Sequence, residues 1–172
     1  MQLVANNKFL QLINNRFKFS LFLFTKLPSA FFCGVRVREA DENKCVVTVP
    51  YKWFSQNPFK STYFACLGMA AEMSTGVLGL AHIHNRTPGV SMLVVNIKGD
   101  FIKKAVAKTT FTCQDGLLIR QTIETAVASG EGKTITAKSI GTNEQGEVVA
   151  TFEITWSFKA KNKRIINNLQ MI

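Results

Sequence analysis

The sequence predicts an α+β domain in which an antiparallel sheet wraps one buried central helix. Three observations predict it. The run over 62–80 has helical length but no polar face, as a helix enclosed on all sides should. Segments rich in Val, Ile and Thr flank it, two before and four after. No linker or repeat divides the 172 residues, a length that suits one domain with a real core. Apolar residues make up 47% and charged residues 19%, the balance of a globular chain rather than a disordered one.

The elements follow in order. Over 6–26, Phe9, Leu12, Ile13, Phe17, Leu21 and Phe24 recur near helical spacing, and Pro28 ends the run. Residues 31–39 and 44–52 alternate around "DEN" and predict a hairpin. "SQNP" at 55–58 predicts a turn, and Pro58 pushes Asn57 toward extended geometry, in a loop before a helix. The central helix over 62–80 carries Cys66, Gly68, Ala70, Ala71, Ser74, Gly76 and Gly79, small residues that let a sheet approach its backbone. Strands are expected at 90–101 and 105–114. Leu118, Ile119, Thr122, Ile123 and Ala126 share a helical period, so a helix over 117–128 is expected, with Asp115 as its cap. Strands at 132–142 and 147–158, joined by the turn "NEQG", close the chain. The domain spans 1–172: an N-terminal helix at about 6–26, a core at about 31–158 and a basic tail at 159–172.

The formal net charge is +10, with no acid before Glu39 and none after Glu153. Basic ends favour an anionic partner: nucleic acid, a membrane surface, a phosphorylated cofactor or an acidic carrier protein. The tail lacks the interleaved aromatics of a base-stacking surface, which argues against nucleic acid. Cys33, Cys45, Cys66 and Cys113 stand far apart, with no CxxC and no Cys/His cluster of metal-ligand spacing. Buried free thiols in a reducing cytoplasm, and no metal site, are the expectation. "FSLFLF" at 19–24 faintly imitates a signal peptide, but the apolar core is short, Lys26 interrupts it and the cleavage pattern is poor. No stretch reads as long enough to span a bilayer.

Glu72 is the only carboxylate between Glu42 and Asp100. At helical spacing it shares a stripe with Ala65, Gly68, Met69, Thr75, Gly76 and Gly79, none of them charged. A half-buried carboxylate loses hydration, its pKa rises, and such acids cluster at functional sites. The alternative is that Glu72 reaches past its small neighbours to water or a lysine. "GEGKT" at 130–134 has the end of a phosphate-binding loop, but Val127 stands where the pattern needs Gly, and a strand rather than a helix follows. No G-x-S-x-G exists to support a Ser-His-acid triad. His82 and His84 read as helix-end cations.

"NPFKSTYFACLGMAAE" at 57–72, followed by "TPGVSMLVVNIKGDFIKKA" at 87–105, resembles the hotdog-fold acyl-CoA thioesterases of the phenylacetate-degradation type. The likeness runs from about residue 8 to residue 158, and is greatest to a bacterial branch with an added N-terminal helix. In that family an Asn precedes the central helix and an acid lies fifteen residues later, the spacing of Asn57 and Glu72. Ser91, after Pro-Gly-Val, matches a recurrent Ser. Active members often carry His-Gly near the helix N-terminus, whereas Tyr63 and Phe64 stand here.

The resemblance implies hydrolysis of an acyl-CoA or acyl-carrier-protein thioester, with coenzyme A as part of the substrate and no resident cofactor. Glu72 would act as general base or nucleophile, Asn57 would orient water or thioester, the Phe64 N–H would polarise the carbonyl and Ser91 would hold the water or Glu72. It implies a homodimer, or a dimer of dimers, with Asn57 and Glu72 supplied by different protomers. Lys98, Lys103 and Lys104 would reach the nucleotide of coenzyme A; Arg86 and Tyr63 are further contacts expected there. Two other readings stand beside it. One is a non-catalytic hotdog module that binds acyl chains or scaffolds a partner. The other is a dehydratase, which pairs a His with its acid.

Overall fold

The computed structural model describes residues 8–161. The basic tail from 162 onward and the first two residues of the expected N-terminal helix lie outside that range. Helices α1 (Lys8–Asn14), α2 (Arg16–Lys26) and α3 (Pro28–Phe32) come first. Strands β1 (Arg36–Ala40) and β2 (Cys45–Val49) lead through a 3₁₀ turn, Trp53–Ser55, to α4 (Phe64–Ile83). Then come β3 (Val90–Phe101), β4 (Thr109–Cys113), α5 (Gly116–Ser129), β5 (Lys133–Thr142) and β6 (Val148–Ala160). The strands form one six-stranded sheet in the order β1-β2-β4-β5-β6-β3, antiparallel throughout. It wraps α4, which packs on β2, β4 and β5, and α1–α3 are added outside this hotdog core.

The small residues of α4 set the approach distance of the sheet. A Cβ on Gly79 would meet Met92 Cε at 2.6 Å, and one on Gly76 would meet the Trp156 ring at 3.2 Å. Ser74 Oγ donates to Ala71 O (2.7 Å) and lies 2.7 Å from Ser139 Oγ, so both fully buried hydroxyls are satisfied. By length and composition α4 is apolar enough to cross a membrane, contrary to the expectation from sequence, but most of it is enclosed by the sheet.

Three expectations are corrected. Residues 8–26 form two helices, because Asn15 caps α2 through its side chain (3.1 Å from Lys18 N) and Asn14 bonds the Ala40 backbone. The break resets the helical phase. Phe9, Leu10, Ile13, Phe19 and Leu23 face the core, while Phe17, Leu21 and Phe24 face outward. The run does end before Pro28, at Lys26, but Pro28 also opens α3 at its first turn, so residues 31–35 precede the hairpin instead of beginning it. Asp115 does not cap α5 with its side chain: its Oδ2 accepts from Lys138 N (2.7 Å) and ties the helix start to β5.

The four cysteines are free, three of them buried. Burial pushes the Cys66 and Cys113 thiols up to about 12, which keeps them protonated and unreactive.

The β1–β2 turn is pinned beneath α5. Gly116 N donates to Asn43 O (3.1 Å), and a Cβ at Gly116 would collide with the Glu42 and Asn43 backbone. Gly116→Ala is expected to cost about 3 kcal/mol, read as a lower midpoint in urea at unchanged slope.

Candidate functional site

Glu72 sits midway along α4, half-buried, between buried Ala71 and Met73. Its carbonyl accepts from Thr75 Oγ1 (3.0 Å), which in turn accepts from Trp156 Nε1 (2.9 Å). This relay holds the indole beside the carboxylate. Glu72 Oε1 lies 3.3 Å from the place a Cβ on Gly76 would take, so the missing side chain makes the space the acid occupies. The carboxylate opens into a cavity of ≈ 250 Å³, walled by Phe9, Phe19, Phe22 and Leu27 from the N-terminal helices and by Met92 and Trp156 from the sheet. Among the described residues no cation lines it, and the carboxylate has no hydrogen-bond or ion-pair partner. Loss of hydration holds its pKa above the ordinary carboxylate value.

A second cavity, ≈ 750 Å³, lies at the N-terminus of α4 and is lined by Asn57, Tyr63, Phe64, Phe101, Lys103 and Lys104 among others. Asn57 Oδ1 accepts from Phe59 N (3.0 Å), Ser61 N (3.3 Å) and Ser61 Oγ (3.2 Å), and Asn57 O accepts from Lys60 N (3.1 Å). These bonds hold Lys60 at φ 56°, a conformation uncommon outside glycine. With Oδ1 so engaged, the Asn57 amide offers only its N–H groups. Phe64 is the first residue of α4, so its N–H is one of the helix's orphan donors. Tyr63 and Phe64 pack edge-to-face, ring centroids 4.8 Å apart, and both remain exposed. They wall the cavity without filling it.

Within the chain Asn57 and Glu72 do not share a cavity. Phe64 and Glu72 are eight residues apart, ~12 Å along the helix axis. Ser91 donates to Lys159 O (3.1 Å) on the strand face opposite that of Met92, and lines neither cavity.

The candidate cations divide. Lys103 and Lys104 line the larger cavity, Lys103 also pairing with Glu147 (2.6 Å) and Lys104 Nζ donating to Phe59 O (3.4 Å). Lys98 lies 3.8 Å from both Asp100 and Glu153, and Arg86 makes a two-pronged pair with Glu124 (2.6 and 2.8 Å). His82 Nε2 is 3.1 Å from Glu42 O and His84 stacks on Phe9, so neither histidine lines either cavity. No group of three or more metal-ligating side chains occurs among the described residues.

Reasoning from sequence missed the walls that α1 and α2 give the Glu72 cavity. The signal was present: residues 8–26 are apolar on more faces than one core contact needs.

One strand edge is also open. Among the described residues β3 ends the sheet, pairing only with β6, and is twelve residues long. Leu93, Val95 and Ile97 on it are each more than half exposed. The other edge strand, β1, has only five residues; both edges are irregular, β1 between Val37 and Glu39 and β3 between Val94 and Asn96.

A family model described as "Domain of unknown function (DUF4442)" matches residues 16–158. No curated protein matches the chain. Among solved structures, a Pseudomonas aeruginosa protein named as a probable thioesterase superposes with TM-score 0.72 at 20% identity, over 84% of this chain and 96% of that one. A thioesterase mutant from the same organism gives 0.65 at 10%, over 86% and 95%. The Escherichia coli PaaI protein from the phenylacetic acid degradation operon gives 0.59 at 16%, over 88% and 96%. At these identities the likeness carries the hotdog fold.

Proposed function

This chain belongs to the DUF4442 family of hotdog-fold domains, and on that premise we propose that it hydrolyses an acyl-CoA or acyl-carrier-protein thioester. The observation that carries the reading is the Glu72 carboxylate, dehydrated and without a cation partner among the described residues, in an apolar cavity shaped for a hydrocarbon group. Glu72 acts as general base. It takes a proton from water as the water oxygen attacks the thioester carbonyl carbon. The C–S bond then breaks, the thiolate leaves and is protonated, and a carboxylic acid and a free thiol result. Negative charge building on the carbonyl oxygen is met by the Phe64 N–H at the positive end of α4 and by the Asn57 amide N–H.

These donors come from the partner subunit in this reading. The support is the open apolar edge of β3: a long unpaired strand is a template for a second copy, and an antiparallel β3–β3 contact is self-complementary about a two-fold axis. The Asn57 and Phe64 of one protomer then approach the Glu72 of the other. Ser91, on the open face of β3, contributes only across such a contact. Lys103 and Lys104, at the larger cavity, take the phosphates of coenzyme A, while Lys98 and Arg86 keep their acidic partners. Four free thiols suit a reducing cytoplasm.

Hydrolysis is favoured over dehydration because neither histidine reaches an acid in either cavity. The second reading, an acyl-binding module without turnover, draws on the exposed Tyr63–Phe64 pair where active members of the resembled type often carry His-Gly. A thiol-release assay over an acyl-CoA panel separates the two: turnover supports hydrolysis, whereas bound lipid with no turnover of any thioester supports the module. Because the base must be ionised, kcat/KM is expected to rise with pH through a midpoint above the ordinary glutamate value, in a pH–rate profile.

A further inference from the structure

The outward faces of α2, α3 and the 3₁₀ turn form one continuous aromatic ridge that the catalytic reading leaves unused. Phe17, Leu21 and Phe24 lie at i, i+4 and i+7 on α2, so they share a stripe, and they are exposed by 81%, 58% and 50%. Phe24 packs edge-to-face on Phe32 (6.2 Å between centroids) and Phe54 edge-to-face on Trp53 (4.8 Å), with Phe32 and Phe54 in tilted contact between them (5.8 Å). Trp53 is itself 75% exposed. Aromatic side chains laid in a row on the surface lose hydration only when something apolar covers them.

The rim of this ridge is basic. Arg36, Arg38, Lys52 and Lys108 line a cleft of ≈ 600 Å³ together with Phe32, Trp53 and Phe54. Arg16 lines a smaller adjoining cleft with Arg36 and Arg38. Arg36 stacks over the Phe31 ring at 4.8 Å. Among the described residues, Arg16, Arg36, Arg38 and Lys52 have no carboxylate partner. Lys108 pairs with Glu144, and Glu39, the acid of β1, is held by Lys44 (3.2 Å). No acid precedes Glu39 in the sequence, so every charged residue of α1–α3 is positive.

We propose that this ridge docks the protein onto an anionic lipid membrane surface, with the aromatic side chains in the acyl–headgroup boundary and the arginine–lysine clefts around headgroup phosphates. Charge decides the occupant. A second copy of the chain brought face to face here would set arginines against arginines, whereas an anionic bilayer neutralises them all at once. Aromatic residues beside a basic rim are the composition of a surface-lying anchor. The ridge is separate from both cavities assigned to thioester chemistry, so it stands whether or not that reading does.

The test is co-sedimentation of the full chain with vesicles of phosphatidylcholine alone and of equal parts phosphatidylcholine and phosphatidylglycerol. Binding to the anionic vesicles, weakened by salt and much lower for the neutral ones, is expected. The chain has two tryptophans and Trp156 is buried, so a blue shift of emission on binding reports Trp53. Phe17→Ser/Trp53→Ser/Phe54→Ser is expected to lower the partition coefficient more than ~10-fold. Arg16→Glu/Lys52→Glu is expected to lower it by at least ~5-fold per charge site. Both variants change exposed side chains outside the catalytic machinery, and turnover of soluble acyl-CoA should stay at the wild-type level. The proposal is overturned if the wild type stays in solution with anionic vesicles at low salt, or if neutral vesicles bind it equally. It is also overturned if soluble glycerol phosphate alone shifts the Trp53 emission, or if the ridge variant lowers the oligomeric state without lipid.

Discussion

Glu72→Gln is expected to lower thioester turnover by ~10²- to 10⁴-fold while leaving the protein folded. The substitution keeps the shape that Gly76 and Trp156 accommodate and removes only the ionisable group. It should also raise the thermal midpoint at neutral pH by a few degrees. The sign follows from linkage. Burial places the folded-state pKa of Glu72 above its unfolded value, so within that window the folded state binds more protons. Wild-type stability therefore falls as pH rises from the unfolded pKa to the folded one, and stays reduced above it. The glutamine variant lacks this loss. The gap between the two midpoints should open across the same window, as measured by calorimetry at a series of pH values. A variant less stable than wild type at neutral pH would show that Glu72 has a stabilising partner, and normal turnover would remove it from the mechanism.

Mixing two inactive variants should restore activity. Asn57→Ala and Glu72→Gln homodimers each lack one half of every site, if the halves come from different protomers. In a heterodimer, one of its two sites pairs an intact Asn57 with an intact Glu72. Random exchange makes half the dimers mixed, so about a quarter of wild-type activity should return. A companion substitution, Val95→Lys with Ile97→Lys, places charges on the open edge of β3 and should yield a monomer in light scattering, with activity lost in proportion. Mixtures that stay inactive despite subunit exchange would mean that each site is built within one chain. Retained dimerisation in the β3 variant would place the subunit contact elsewhere.

The architecture was legible because its signals are local. The central helix, the long third strand and the two closing strands follow from small-residue spacing, β-branched runs and the "NEQG" turn, where Asn143 Oδ1 indeed accepts from Gln145 N and Glu147 N (3.0 and 2.9 Å). The misreadings came from side chains that bond to distant backbone. Asn14 reaches Ala40 and Asp115 reaches Lys138, and neither partner is signalled in the neighbouring sequence. One broken turn at Asn15 then inverted which phenylalanines of α2 face the core.

For the site, residue order alone marks Glu72 as a lone acid on an uncharged helical stripe and sets Asn57 in a loop before that helix. Helical periodicity and the pre-proline restriction are properties of the chain within a few residues, and they hold in any context. What surrounds the carboxylate is set by long-range packing. The walls of its cavity come from α1, α2, β3 and β6, which converge on α4 through packing that no local pattern encodes. The same folding placed Asn57 in a separate cavity and left β3 and the aromatic ridge uncovered by the described residues, because one chain can bury only the apolar faces its own elements reach.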